Sequence, residues 1–142
     1  MRITFVLPGW SLRKPIGGFK VVYEYANRLS ERGHMVNVVH PFLLYPDEAT
    51  LKQKMKNRVL QIVKRLLREE ERVKWFDISP RVHILIVDSL KEGNIPEGDV
   101  IIATAWQTAE HVAEYSMSKG GKFYLVMDVY PWLGSKDKLA PI

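Results

Sequence analysis

The chain has 142 residues, 46% hydrophobic and 26% charged, which are the proportions of one globular domain spanning 1–142. It has no cysteine, which excludes a disulfide framework and a cysteine-ligated zinc site and fits a reducing, cytoplasmic setting. No apolar run approaches the ~20 residues of a membrane span. The net charge of +5 is unevenly placed: Leu51 to Trp75 holds nine Lys/Arg against three Glu, a net +6, leaving 12 basic and 13 acidic residues elsewhere.

Strand 2–7 comes first. It is an almost wholly apolar run, as expected of a strand covered on both faces, and it ends at Pro8-Gly9 with no secretory cleavage signature behind it. A loop, 8–17, leads to an amphipathic helix, 18–32. Arg32-Gly33-His34 stops that helix, with Gly33 as its expected left-handed terminator. Strand 35–40, loop 41–49 and a long helix, 50–73, follow. In that helix Leu51, Met55, Val59, Ile62, Val63, Leu66 and Val73 recur at helical spacing, opposite a face rich in Lys and Arg. After a connector with Pro80 come strand 82–87, loop 88–98, strand 99–103, helix 106–117, strand 122–127 and an irregular tail. Strands alternating with helices predict an α/β fold, a doubly wound, Rossmann-like parallel sheet with helices on both faces. Ligands of such sheets sit at the carboxyl ends of the strands. The residues that matter there are Pro8 to Gly18, His40-Pro41, Asp88-Ser89, Thr104 to Gln107 and Asp128 to Trp132.

Gly17 and Gly18 stand where the first helix begins. A helix start presents unpaired N–H groups and a partial positive charge, and residues without Cβ let an anion approach closely. The alternative is a turn that needs positive φ. A dinucleotide fingerprint is disfavoured, because no G-x-G-x-x-G is present and the loop is long.

The ordered set Gly17-Gly18, Val22, Ala26, Leu29, Arg32-Gly33-His34, Val36 and Val38 resembles the N-terminal domain of GT-B-fold glycosyltransferases, in particular the large retaining family 4. A second stretch, Asp99 to Ala109 followed by Gly121 to Asp128, is similar to the family's fourth strand, helix and fifth strand, so the likeness covers roughly half the chain. The resemblance implies a Rossmann-like, acceptor-side half of a hexosyltransferase. The partner C-terminal domain, which carries most nucleotide-sugar contacts and an E-x7-E carboxylate pair, is then missing, and the fragment is expected to be inactive alone. Glu24 and Glu31 have that spacing but lie on the first helix as ordinary decoration.

The implied donor is a nucleotide-diphosphate sugar, with Gly17 and Gly18 facing its phosphates, and the implied acceptor is a glycan or a lipid-linked hydroxyl. Asp128, just past the last strand, takes the place where the family often carries His or Asp near the reacting sugar, and as a carboxylate it would orient or deprotonate an acceptor hydroxyl. Trp106 is read as an acceptor-stacking ring with Gln107 supplying hydrogen bonds, Thr104 as the cap of the next helix, and Tyr130 and Trp132 as a second aromatic pair that either lines an acceptor groove or covers the sheet edge. Lys64, Arg65, Arg68 and Arg72 form a patch that either faces water or docks on an anionic membrane surface, peripherally on the inner face. The patch matches no nucleic-acid motif. The four histidines have no metal-ligand spacing, so no bound metal and no tightly held cofactor is expected. The rival reading is a non-catalytic Rossmann-like module that binds a nucleotide or another anion.

Overall fold

The structure is a computed structural model of the chain and describes residues 1–11, 14–44, 50–53, 55–56, 58–59 and 73–127. Five strands, β1 (Arg2–Val6), β2 (Met35–Leu43), β3 (Val82–Ser89), β4 (Val100–Ala103) and β5 (Gly121–Tyr124), form one sheet in the order β3-β2-β1-β4-β5. Every pairing is parallel. Helix α1 (Gly17–Glu31) covers one face and helix α2 (Trp106–Glu114) the other. The expected α/β doubly wound, Rossmann-like architecture is therefore present, with β1 at its centre.

Alternation along the strands builds two cores. Ile3, Phe5 and Leu7 of the β1 run join Val36, Val38 and Val82 beneath Phe19, Val22, Tyr23 and Ala26 of α1. Val6, Val39, Ile101 and Ala103 point the other way, onto Val112 of α2 and onto Tyr115, Leu90 and Ile95. On β5 all four residues are exposed.

Helix α1 ends as its sequence requires. Gly33 has φ +87, His34 N–H donates to Leu29 C=O at 3.1 Å, and Gly33 N–H donates to Ser30 C=O at 3.1 Å, the pair of bonds of a Schellman stop. Helix α2 ends three residues before the expected 117. Ser116 N–H and hydroxyl are taken by the Glu92 carboxylate and Tyr115 hydroxyl donates to Leu90 C=O at 2.6 Å, so this turn is tied to the β3–β4 connector instead of continuing the helix. The Ser116 hydroxyl, then its N–H, hold the Glu92 carboxyl below its ordinary range. Strand β2 runs to Leu43, beyond the expected 40, because β3 pairs with it as far as Leu43↔Ser89.

The start of the basic helix departs from expectation. Thr50 and Gln53 form a reciprocal cap, Thr50 N–H to Gln53 Oε1 at 3.0 Å and Gln53 N–H to Thr50 Oγ1 at 3.3 Å. An apolar stripe at helical spacing is ordinarily the face that a helix buries, but Leu51, Met55 and Val59 are 75%, 61% and 59% exposed. Val73, Trp75, Phe76 and Ile78 pack against the α1-side core instead. Two hydrogen bonds to Asn27 hold the 77–79 segment on α1, Nδ2 to Asp77 C=O and Oδ1 from Ser79 N–H, each at 2.9 Å.

Candidate functional site

The carboxyl ends of β1 and β4 are adjacent, and the chain leaves them toward opposite faces, α1 on one side and α2 on the other. This is the topological switch of the sheet, the place where such folds bind ligands.

Helix α1 opens without a cap. Its N-cap residue is Ile16, in extended geometry, which offers no side-chain oxygen, and no acidic residue stands in the first turn. The first intrahelical bond is Lys20 N–H to Ile16 C=O at 3.0 Å. The amides of Gly17, Gly18 and Phe19 thus precede the ladder and have no carbonyl of their own helix to reach. Together with the helix dipole and Lys20 they make this end electropositive.

The glycines are not there for an unusual backbone. Among the described glycines only Gly33 and Gly120 have positive φ, so the turn reading of Gly17-Gly18 is overturned. A Cβ on Gly17 would meet nothing within 4 Å, and one on Gly18 would meet only the Met127 Cε at 3.5 Å. Each glycine in a helix costs up to about 1 kcal/mol relative to alanine. What the pair provides is a helix start without side chains, beside amides that have no backbone partner among the described residues.

The loop that leads to these amides rests on a buried aromatic floor. His40, fully buried on β2, bonds through Nδ1 to Gly9 C=O at 2.9 Å and through Nε2 to Tyr23 Oη at 3.1 Å. A carbonyl only accepts, so Nδ1 carries the hydrogen and Nε2 accepts from the tyrosine. Burial lowers the imidazole from 6.5 to about 4, against a smaller upward pull from the Gly9 bond, so His40 is neutral near pH 7. Burial likewise pushes the Tyr23 hydroxyl well above its usual range, which keeps it a donor. Trp75 Nε1–H donates to Ser11 C=O at 2.9 Å, and Ser11 Oγ to Lys14 C=O at 2.7 Å. Trp10 stacks edge-on against Phe42, with centroids 5.0 Å apart.

On the other side of the switch, Trp106 is the first residue of α2 and 40% exposed, while Gln107 is half-buried. Both therefore stand at the carboxyl edge, on the opposite face from Gly17 and Gly18. Thr104 is not the helix cap. Its hydroxyl donates to Val6 C=O at 2.8 Å, tying β4 to β1, and the N-cap position is Ala105. Thr108 does the capping from within the helix, its Oγ1 accepting Thr104 N–H and Ala105 N–H, each at 3.1 Å.

Asp128, Tyr130 and Trp132, and the basic patch Lys64, Arg65, Arg68 and Arg72, lie outside the described residues. Among the described residues no three His, Asp or Glu side chains converge as a metal would require, and no helix is long and apolar enough to cross a membrane. The sequence points to His40 only by its place after a strand, and it does not point to Tyr23 or Trp75 as parts of the site. The available signal was a polar residue, His40, in the alternation Val36, Val38, His40, on the strand face that meets Tyr23 of the buried stripe of α1.

Comparison of the chain with protein-family models, with curated proteins and with solved structures returned no match.

Proposed function

We propose that the chain is the N-terminal, acceptor-side domain of a GT-B-fold glycosyltransferase of the hexosyltransferase type. The complete enzyme moves a sugar from a nucleotide-diphosphate donor to a glycan or lipid-linked hydroxyl, in polysaccharide or glycolipid synthesis. The observation that carries this reading is the uncapped start of α1, where two glycines in ordinary helical geometry leave free amides open at the switch of the sheet. That arrangement suits a diphosphate, the part common to all such donors. In this reading Trp106 and Gln107, at the carboxyl edge of the sheet, meet the acceptor, and the sequence likeness assigns Tyr130 and Trp132 the same role and Asp128 that of the carboxylate that orients the acceptor hydroxyl. The departing diphosphate is stabilised by helix amides and basic side chains, not by a resident metal.

Binding separates this reading from the rival nucleotide-binding module. A GT-B acceptor half meets the donor mainly through its diphosphate, so inorganic pyrophosphate and UDP are expected to bind this chain with similar, millimolar affinity in calorimetry. Micromolar, base-selective nucleotide binding would support the module instead. Gly18→Val is expected to weaken pyrophosphate binding by about tenfold, worth roughly 1.4 kcal/mol. The new Cβ meets only the flexible end of Met127 and the backbone conformation is accessible, so the fold is expected to change by about 1 kcal/mol or less. Equal binding by the folded mutant would remove the glycines from the site.

We propose further that the domain docks peripherally on the inner face of a membrane through the basic helix. Leu51, Met55 and Val59 are exposed beside the exposed Lys52, Lys56 and Arg58, an apolar strip with basic flanks. Cosedimentation with phosphatidylglycerol vesicles is expected, falling as salt rises, with little binding to neutral vesicles. Replacing Lys64, Arg65, Arg68 and Arg72 with Gln removes most of it, and changing Leu51, Met55 and Val59 to Ser removes the salt-resistant remainder. Binding that ignores both sets of changes would refute the placement.

A further inference from the structure

We propose that His40 is the positioning residue for the α1 amide cradle, holding the β1–α1 loop from beneath through its Nδ1–H bond to Gly9. The inference rests on the reading of that cradle as a phosphate site and names what fixes its geometry.

His40 touches both ends of the loop. At the start, Gly9 C=O accepts its Nδ1–H at 2.9 Å. At the end, the ring of Phe19, whose amide is one of the three free donors, packs edge-on against the imidazole with centroids 5.5 Å apart. Tyr23, one turn further along α1, donates to Nε2 at 3.1 Å and so locks the tautomer that makes the Gly9 bond. A single side chain thereby sets the strand exit at Gly9 and the helix start at Phe19 relative to one another. Trp75 adds a second tie at Ser11, from a segment far along the chain. A buried apolar residue would fill the same space, but only a group with a donor on one side and an acceptor on the other satisfies both Gly9 and Tyr23. A buried polar group satisfied on every side favours one arrangement over its neighbours. Amides aimed at an anion need that single arrangement, because a site that is ordered before binding does not lose affinity to ordering the loop.

Three substitutions separate positioning from mere stability. His40→Asn keeps a donor near the Nδ1 place. His40→Gln reaches instead toward Tyr23 and abandons Gly9, and His40→Phe abandons both. The readouts are 15N backbone order parameters at Gly9, Ser11 and Lys14 to Gly18, and pyrophosphate affinity by calorimetry. In the Phe and Gln variants the loop is expected to fall from the rigid range, about 0.85, to below about 0.6, while the strands keep their values. Pyrophosphate affinity falls at least about fivefold, worth roughly 1 kcal/mol. The Asn variant restores both. Should the Phe variant not fold, the Gln and Asn variants carry the comparison. Unchanged loop order in the Gln variant, or no restoration by Asn, overturns the proposal. Absence of pyrophosphate binding by the wild-type chain overturns the phosphate reading, and the order parameters then still decide whether His40 positions the loop.

Discussion

Gly120→Ala is expected to destabilise the domain by on the order of 3–5 kcal/mol, the sum of a backbone cost and an overpacking cost. Gly120 has φ +100 and ψ −177, a region that residues with a side chain rarely occupy. A Cβ there would lie 2.4 Å from the Asp99 carbonyl carbon, 2.6 Å from its oxygen and 2.6 Å from Val100 N, all of them backbone. Asp99 cannot retreat. Its N–H donates to Arg2 C=O at 2.9 Å, its carboxylate accepts Arg2 N–H at 2.6 Å, and its carbonyl accepts Gly121 N–H at 2.9 Å. Relief of the clash therefore breaks the junction of β1, β4 and β5. Domains of this size have only about 5–15 kcal/mol in total, so the loss moves the denaturant midpoint far toward zero or prevents folding. Gly121→Ala is the control: its φ is not positive and its nearest neighbour is the Phe123 Cε2 at 3.5 Å, so a change of about 1 kcal/mol or less is expected. Equal midpoints for the two variants would contradict the account of this junction.

Acidification is expected to remove roughly 3 kcal/mol of stability through His40 alone, between pH 6.5 and about 4. The folded imidazole is held below its unfolded value, so between these limits the unfolded chain binds the extra proton and the folded one does not. The contribution is complete above the unfolded value of 6.5 and is lost as pH falls toward about 4, below which both states are protonated. A protonated ring would also have no lone pair for the Tyr23 hydroxyl. Carboxylates titrate in the same range, so the informative quantity is the difference between wild type and His40→Asn in urea midpoints at several pH values. That difference should narrow steadily from neutral pH downward. A constant difference would mean that His40 takes up its proton in both states alike.

The parts of this fold that were legible in the sequence are those governed by local periodicity and by single-residue chemistry. The apolar run of β1, the amphipathic stripe of α1 and the Arg32-Gly33-His34 stop all depend on residues within a few positions of one another, and each occupies its expected place. What depended on distant partners was not legible. Strand β2 extends because β3 lies beside it. Helix α2 stops early because Glu92 and Leu90 claim the groups of Ser116 and Tyr115. Leu51, Met55 and Val59 carry a helical stripe that announces burial, yet Trp75, Phe76 and Ile78 pack on the α1-side core. Spacing alone does not say which of two apolar segments wins a surface. Thr104 illustrates the same limit within the site: its place after a strand suited a cap, but the nearest acceptor is Val6 C=O on the neighbouring strand. The glycine pair was legible as an anion site only by type. The absence of positive φ, visible only in three dimensions, separates open space from turn geometry. The floor beneath it, His40 on one strand and Trp75 in a later connector, is joined through the fold alone.

The amides of Gly17, Gly18 and Phe19 at the start of α1 are proposed to receive a phosphate group. The most direct measurement is a titration of the 15N-labelled chain with inorganic pyrophosphate, followed by amide chemical shifts. Saturable shifts concentrated at Gly17, Gly18 and Phe19, weakened by salt and lost in Gly18→Val, are the predicted result. Shifts that leave those three amides unmoved, or that persist unchanged in Gly18→Val, would contradict it.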